Sequence, residues 1–373
     1  MILLEHGPER RPVCFRAPRD LVVAHDPSEL APALARLDAE RGAGAWVAGY
    51  VSYEAGYALE PKLAALMPEG RDHPLLAFGV YDAPEPADAL LADLPRDAHL
   101  AALDPMISRA EYGAAFDRVA DYVAAGDCYQ INLTFPMATR VTGDPLALYG
   151  ALRARQAVGY GAYLDLGTGP VIVSRSPELF FSTTPAGRIE SRPMKGTAPR
   201  GADPEEDAAL AQALYHSEKG RAENLMIVDL LRNDISRLSA IGSVKVPELF
   251  AVEAFATVHQ MSSRVVGQLV EPPALARLMP ALFPCGSITG APKIRAMQII
   301  REVEPFPRGV YCGAIGWMAP DGASAFNVAI RTLSVWPDRA VLNVGGGVVH
   351  DSTAQGEWDE AHWKARYAAA LVR

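Results

Sequence analysis

The chain has 373 residues, half of them hydrophobic and 21% charged. A chain of this length and composition can bury a large core, either as two ordinary domains or as one interleaved domain. Its formal net charge of −9 disfavours nucleic-acid binding through a global basic field. Residues 1–11 lack the apolar core of a signal peptide, and no segment approaches the ~18 apolar residues of a membrane helix. With four widely spaced cysteines, the chain is predicted to be cytoplasmic, with reduced thiols and no membrane partner.

The first elements in chain order are an apolar strand at residues 45–53 and a surface connection at 82–105. Ser108 and Glu111 form a capping-box pattern that starts a helix, and Gly126 can end it. An alternating strand follows at residues 129–135. Further strands are predicted at 171–174, 326–335 and 341–344, and helices at 205–234, 292–303 and 357–371. Strands and helices come in clusters, which favours an α+β fold with antiparallel sheets over a doubly wound parallel sheet.

Acidic residues on two predicted helices suggest a metal site. Glu357, Glu360 and Lys364 share one helical face, which taken alone is typical of a solvated face with salt bridges. Glu223 lies in an apolar run, AENLMIVDLL, where a buried carboxylate needs a partner or a metal. Two carboxylates with waters and a substrate carboxylate would suit Mg²⁺ better than Zn²⁺.

Three glycine clusters could offer backbone N–H groups to an anion, although a tight turn explains each one equally well. The first, at residues 286–292, contains Ser287 and Thr289 and precedes a helix. The second, at 345–347, is predicted to end a strand. In the third, Gly196 and Thr197 follow Lys195.

Three further side chains have both a functional and a structural interpretation. Arg331 is predicted to lie in the middle of the strand at 326–335, where it binds a ligand carboxylate or forms a structural salt bridge. His259 is either catalytic or a core histidine. Tyr311 is either a ligand contact or a core residue.

Taken together, these segments resemble the chorismate-utilising enzymes from about residue 107 to the C-terminus. The matching stretches, in order, are DCYQINLTF (127–135), SRSPELFF (174–181), RPMKGT (192–197), AENLMIVDLLRND (222–234), VHQMSSRVVG (258–267), GSITGAPKIRAMQII (286–300), YCGAIG (311–316), FNVAIRT (326–332) and GGGVV followed by EWDEAHWK (345–364). The resemblance implies a large α/β sandwich of antiparallel sheets flanked by helices, as one interleaved domain. Residues 1–106 would supply its N-terminal portion and a connecting segment, and residues 107–373 its chorismate-binding catalytic core.

The resemblance also implies roles for individual residues. Glu223 and Glu360 would bind Mg²⁺, which holds the ring carboxylate of chorismate. The same carboxylate would contact Lys364, Ser287 and the backbone of Gly346 and Gly347. The enolpyruvyl carboxylate would contact Arg331 and Tyr311. Glu178 resembles the general acid that protonates the departing hydroxyl, Thr197 belongs to the same catalytic segment as Lys195, and His259 matches an active-site histidine whose role stays open.

Two positions distinguish members of this family. Gln130 stands where isochorismate and salicylate synthases carry a lysine that activates water, and because glutamine is not a base, ammonia is favoured as the nucleophile. RPMKGT is similar to the aminodeoxychorismate synthases, whereas anthranilate synthases have alanine at the position of Lys195. By that resemblance, Lys195 attacks C2 of the ring as the C4 hydroxyl leaves, and ammonia then attacks C4 and expels the lysine from C2. The product would be 4-amino-4-deoxychorismate, a precursor of p-aminobenzoate and folate.

The chain shows no GxCxG glutaminase nucleophile, so ammonia is expected from a separate glutamine amidotransferase subunit. Two alternatives stay open. One is anthranilate synthase component I, which eliminates pyruvate and aromatises the ring. The other is a non-catalytic regulator that binds chorismate or an amino acid.

Overall fold

The computed structural model describes residues 1–255 and 258–372. The strands, in chain order, are β1 (Ile2–Leu4), β2 (Val13–Phe15), β3 (Asp20–Ala24), β4 (Trp46–Val51), β5 (Leu76–Tyr81), β6 (Glu85–Pro86), β7 (His99–Leu100), β8 (Asp104–Pro105), β9 (Gln130–Thr139), β10 (Val141–Thr142), β11 (Tyr160–Leu164), β12 (Val171–Ser176), β13 (Leu179–Thr183), β14 (Arg188–Arg192), β15 (Met194–Pro199), β16 (Lys245–Ala254), β17 (Val258–Gln268), β18 (Gly290–Ala291), β19 (Ala314–Met318), β20 (Ser324–Val328), β21 (Thr332–Val335) and β22 (Ala340–Val348).

The α-helices are α1 (Pro27–Gly42), α2 (Ala55–Leu59), α3 (Asp88–Ala92), α4 (Arg109–Ala124), α5 (Pro145–Arg155), α6 (Pro204–His216), α7 (Glu218–Ser236), α8 (Leu275–Leu282), α9 (Lys293–Val303) and α10 (Ala354–Ala369). Short 3₁₀ turns lie at Pro8–Arg10, Pro61–Leu66 and Gly286–Ile288. No helix in the described part of the chain is long and apolar enough to cross a membrane.

Most strands belong to two ten-stranded sheets whose neighbouring strands run antiparallel. Sheet A has the order β18-β9-β22-β21-β12-β11-β1-β2-β6, with β8 beside β9. Sheet B has the order β15-β17-β14-β13-β20-β19-β4-β5-β3, with β16 beside β17. The predicted α+β class with antiparallel sheets is therefore confirmed.

Residues 1–106 contribute to both sheets. β1, β2 and β6 form one end of sheet A next to β11, whereas β3, β4 and β5 form one end of sheet B next to β19. One large cluster of buried hydrophobic side chains includes residues from both parts, such as Leu34, Phe78, Phe135 and Leu342. The segment at 82–105, predicted to be a surface connection, also contains α3 and buries Leu91 and Leu94 against this core.

The chain crosses between the sheets twice at neighbouring positions. β12 of sheet A leads through Pro177 and Glu178 into β13 of sheet B, and β20 of sheet B leads through residues 329–331 into β21 of sheet A. The two crossovers are hydrogen-bonded to each other, because the Val328 amide donates to Glu178 O (3.0 Å) and the Arg175 amide donates to Arg331 O (2.9 Å). The prediction of a single strand at 326–335 is therefore wrong.

Local signals account for several elements. The capping box of Ser108 and Glu111 starts α4, as predicted, because each residue's side chain accepts from the other's backbone N–H. The single helix predicted at 205–234 is two helices. Ser217 separates them, because its side chain accepts from the Gly220 amide and caps α7.

Candidate active site

A cavity of about 680 Å³ is lined by residues of both sheets, α7 and α10. This volume lies within the ~300–1,000 Å³ that is usual for small-molecule sites. The predicted site residues that line it are Glu178, Lys195, Thr197, Glu223, Ser287, Tyr311, Arg331, Gly347, Glu360 and Lys364.

One face of α10 forms a wall of the cavity. Glu357, Glu360, Lys364 and Tyr367 follow each other at intervals of three, four and three residues, so they lie in one row. Lys364 Nζ forms an ion pair with Glu360 Oε1 at 2.7 Å and donates to Gly345 O at 2.9 Å. The row therefore faces a cavity rather than solvent alone. Tyr367 was not predicted, although continuing the same spacing by one turn would have included it.

A further acidic residue of the cavity, Glu223, lies on α7. Glu223 lines the cavity, and its Oε1 lies 3.9 Å from Lys219 Nζ, one turn earlier on the same helix. Lys219 also lines the cavity. The carboxylate in the apolar run thus faces a polar cavity instead of the core, which agrees with the sequence argument that it needs a partner.

The carboxylates fit a hard divalent cation. Glu223, Glu357 and Glu360 line one cavity, and Glu357 Oε2 is buried without a hydrogen-bond partner among the described residues. Burial raises the pKa of Glu357, and its repulsion by Glu360 adds to the shift. Residues 1–255 and 258–372 hold no ready-made set of three metal-ligating side chains. Carboxylates that leave room for waters and a substrate oxygen match the coordination of Mg²⁺.

The three consecutive glycines lie inside β22 and do not end it, so that prediction is wrong. A Cβ atom on Gly346 would come within 2.6 Å of Glu357 Oε2, and one on Gly347 within 3.0 Å of Gln130 Cδ. A larger residue at either position would have to displace the Glu357 or the Gln130 side chain, and glycine avoids this. Gly347 lines the cavity, whereas Gly346 is not among its lining residues.

Glu178 lies on the first crossover and is 4% exposed. Burial raises the pKa of Glu178 from 4.5 to about 7, and the Ser287 hydroxyl and Lys195 only partly oppose this shift. Its Oε1 has no hydrogen-bond partner among the described residues. A buried carboxyl group with a pKa near neutrality can donate a proton to a ligand.

Arg331 lies on the second crossover with φ +52°, and not in the middle of a strand as predicted. This left-handed conformation costs an arginine roughly 1–2 kcal/mol, and such strain often marks functional positions. The described residues place no carboxylate within salt-bridge distance of its guanidinium, although Glu178 attracts it at longer range. The alternative of a structural salt bridge is therefore rejected.

Lys195 lies on β15, is half-buried and lines the same cavity as Glu178. Burial, followed by repulsion from Lys364, lowers the pKa of Lys195 below its ordinary value, although the surrounding carboxylates oppose this. The neighbouring Thr197 Oγ1 donates to Gln260 Oε1 at 3.1 Å, and Gln260 Nε2 donates to Gly196 O at 2.9 Å. Gln260 therefore holds the RPMKGT segment and lines the cavity itself. Sequence reasoning chose its neighbour His259 instead.

Ser287 and Tyr311 also line the cavity. The Ser287 hydroxyl lies 3.3 Å from Cys285 Sγ in a fully buried turn. Arg308 Nη1 fixes that turn by donating to Ile288 O at 2.8 Å. Burial raises the pKa of Tyr311 well above its ordinary value, so its hydroxyl stays protonated.

Besides Gly346, two predicted residues lie outside the cavity lining. Gln130 is fully buried behind Gly347, and both polar atoms of its amide lack partners among the described residues. His259 Nε2 is 2.8 Å from Asp207 Oδ1, and Asp207 also accepts two hydrogen bonds from Arg200. The histidine thus joins β17 to the start of α6, and the structure does not place it among the cavity residues.

Comparisons with known proteins agree with this arrangement. A family model described as chorismate binding enzyme matches residues 15–370. Aminodeoxychorismate synthase component 1 of Klebsiella aerogenes is 46% identical over 254 residues, which are 68% of this chain and 56% of that protein. Anthranilate synthase component 1 of Thermus thermophilus is 42% identical over 259 residues, which are 69% of this chain and 56% of that protein. The chain thus spans little more than half the length of these relatives.

The crystal structure of anthranilate synthase component I from Streptococcus pneumoniae superposes with a TM-score of 0.80 at 28% identity, covering 95% of this chain and 91% of that one. The fold implied by the sequence resemblance is therefore confirmed. Because the family model matches nearly the whole chain, the protein belongs to the chorismate-binding enzyme family.

Proposed function

We propose that the protein converts chorismate and ammonia to 4-amino-4-deoxychorismate, as the relatives named aminodeoxychorismate synthase do. The observation that carries the proposal is that the half-buried Lys195 and the buried Glu178 line one cavity. Anthranilate synthases typically have alanine in place of this lysine. An amine with a lowered pKa is a nucleophile, and a carboxyl group with a raised pKa is a proton donor.

The charges of the cavity fit a dianionic substrate. The protein as a whole is negative, so attraction must come from cations within about 8 Å, the Debye length at physiological salt. Lys364 and Ser287 would bind the ring carboxylate, together with the backbone of Gly346 and Gly347. Arg331 and Tyr311 would bind the enolpyruvyl carboxylate at the other side of the cavity.

Glu223 and Glu360 would hold Mg²⁺, with Glu357 beside them. Burial alone would raise the pKa of Glu360, but the charge and hydrogen bond of Lys364, together with Lys195 and Lys219, outweigh it and hold this pKa below its ordinary value, so the carboxylate stays ionised. Bound Mg²⁺ would supply positive charge to the ring carboxylate. We expect Mg²⁺ binding to be measurable by calorimetry with the wild type and to be lost in Glu360→Gln.

The chain's own residues would carry out the two displacements. Glu178 would protonate the departing C4 hydroxyl, which leaves as water, while the Lys195 amine attacks C2 and the ring double bond shifts. Ammonia would then attack C4 and expel the lysine, which restores the ring double bonds. Both displacements together retain the configuration at C4, and the enolpyruvyl ether stays intact.

Ammonia would come from a separate glutamine amidotransferase subunit. The designation "component 1" of the relatives supports a second component. The purified chain should therefore make product from ammonium salts and not from glutamine. Equal rates with both nitrogen sources would contradict the need for a partner.

A product assay tests the proposal. The protein is incubated with chorismate, ammonium and Mg²⁺, and the product is identified by mass. Release of anthranilate and pyruvate would favour the second candidate, anthranilate synthase, which the 42% identical relative supports. Binding of chorismate without turnover would instead indicate a regulator.

Replacing Lys195 tests the covalent role. Lys195→Ala should abolish amination or divert turnover to anthranilate, because the nucleophile is gone. Lys245→Ala, at an exposed lysine on β16, is the matched control and should behave as the wild type. An amination rate of Lys195→Ala equal to that of the wild type would refute the covalent step.

A further inference from the structure

Tyr367 is the fourth residue in the row of α10 side chains that line the cavity. It lies one turn beyond Lys364, on the helix face that also carries Glu357 and Glu360. The first three members of this row are charged, and the last presents a phenol. The side chain therefore shares the cavity with the groups proposed to bind substrate.

The Tyr367 hydroxyl is buried and has no hydrogen-bond partner among residues 1–255 and 258–372. A buried polar group without a partner is destabilising unless a ligand or water satisfies it. Tyr81 has an unpaired buried hydroxyl too, but it lies in the core beside Phe15, away from the cavity. What distinguishes Tyr367 is that its side chain lines the cavity, beside the groups proposed to bind substrate.

The electrostatic surroundings indicate which ligand group this would be. Arg331 lines the same cavity and is the charged side chain that acts most strongly on Tyr367, followed by Arg175. Arg331 itself has no carboxylate at salt-bridge distance within the described residues. A protonated phenol beside an unpaired guanidinium can supply two kinds of hydrogen-bond donor to one anion, which suits a carboxylate.

We propose that Tyr367 is a substrate-binding residue whose hydroxyl donates to the same substrate carboxylate as Arg331. This inference rests on the proposed function, in which that group is the enolpyruvyl carboxylate of chorismate. Tyr367 would act together with Tyr311, so that the carboxylate is held by one guanidinium and by phenols from two elements of the fold.

The test compares Tyr367→Phe with Tyr81→Phe. Each variant removes one buried, unpaired hydroxyl, but only Tyr367 lines the cavity. The dissociation constant of chorismate is measured by calorimetry with Mg²⁺ present. We expect Tyr367→Phe to weaken binding roughly 10-fold or more, as for loss of a hydrogen bond to a charged group. Tyr81→Phe should bind as the wild type.

Thermal unfolding separates binding from folding. Without ligand, Tyr367→Phe should have a Tm equal to or above that of the wild type, because it loses an unsatisfied polar group. With saturating chorismate, its Tm should rise less than that of the wild type. A double-mutant cycle with Arg331→Lys should show non-additive effects on binding if both side chains share one carboxylate.

The outcomes distinguish this inference from the proposed function. If the wild type binds chorismate and Tyr367→Phe binds it equally well, the role of Tyr367 is refuted and the proposed function stands. Additive effects in the cycle would refute the shared carboxylate. If the wild type neither binds nor converts chorismate, the proposed function fails and this inference fails with it.

Discussion

Burial favours the neutral form of both Glu178 and Lys195, because it raises the pKa of the carboxyl group and lowers the pKa of the amine. Each one attracts the charged form of the other, which favours ionisation of both. Removal from water opposes ionisation and is the larger effect for each residue. Both groups are therefore shifted toward their neutral forms, which are the forms that a proton donor and a nucleophilic amine require.

The raised pKa of Glu178 predicts a pH-dependent cost to stability. In the unfolded chain its pKa returns to 4.5, against about 7 in the folded protein. The folded state thus holds the proton more tightly, so stability is greatest below pH ~4.5 and is lost as the pH rises to about 7, by roughly 3 kcal/mol in total. Glu178→Gln imitates the protonated form and should be more stable than the wild type by that amount at pH 8.

Denaturant unfolding at pH 5, 6, 7 and 8 measures this difference. The gain from Glu178→Gln should be small at pH 5, increase up to pH 7 and then stay constant. Glu69→Gln, at an exposed glutamate, should show no such gain. A difference between Glu178→Gln and the wild type that is the same at every pH would refute the assignment.

At the scale of elements, the turn that carries Ser287 is held by a buried ion pair. Arg308 bonds bidentately to Glu304 at 2.8 and 2.7 Å and also donates to Ile288 O and Asn132 O. Glu304 additionally accepts from the backbone and side chain of Thr134. This ion pair therefore joins α9, β9 and the turn at Gly286–Ile288, and this turn lines the cavity.

Removing Arg308 should weaken both folding and binding. Arg308→Met leaves Glu304 buried without its counter-ion and should destabilise the protein by about 3–5 kcal/mol. Among the molecules that still fold, the KM for chorismate should rise because Ser287 is no longer fixed. The control is Arg118→Met, which breaks a solvent-exposed pair with Glu302 and should cost less than about 1 kcal/mol. Equal losses of stability in both variants would contradict the role of this ion pair.

Sequence patterns predicted the elements better than the connections between sheets. The spacing of Glu357, Glu360 and Lys364 placed them on one face of a helix because helical periodicity is local. The run at 326–335 contains no glycine or proline to mark a break, so the sequence pattern could not show that the chain changes sheets at Arg331. His259 and Gln260 are adjacent on β17, and only the position of neighbouring strands decides which one reaches the cavity.

For the whole molecule, the interleaving of the two sheets governs stability. β1 pairs with β11, and β4 pairs with β19, so residues 1–106 complete both sheets. Without them, β11 and β19 would become edges, and apolar side chains such as Phe326 and Trp317 would lose neighbours from β4 and β5. The proposed catalytic residues all come from the rest of the chain, but both sheets that position them include strands from residues 1–106.

We therefore predict that residues 107–373 do not fold on their own, even though they contain every proposed catalytic residue. Produced alone, this fragment should lack cooperative unfolding and near-ultraviolet circular dichroism, because exposed edges and uncovered apolar faces leave too little buried surface. The full chain, measured under the same conditions, should unfold in one transition seen alike by fluorescence and circular dichroism. A fragment that unfolds cooperatively and binds chorismate would show that residues 1–106 are a separate addition to an independent catalytic domain.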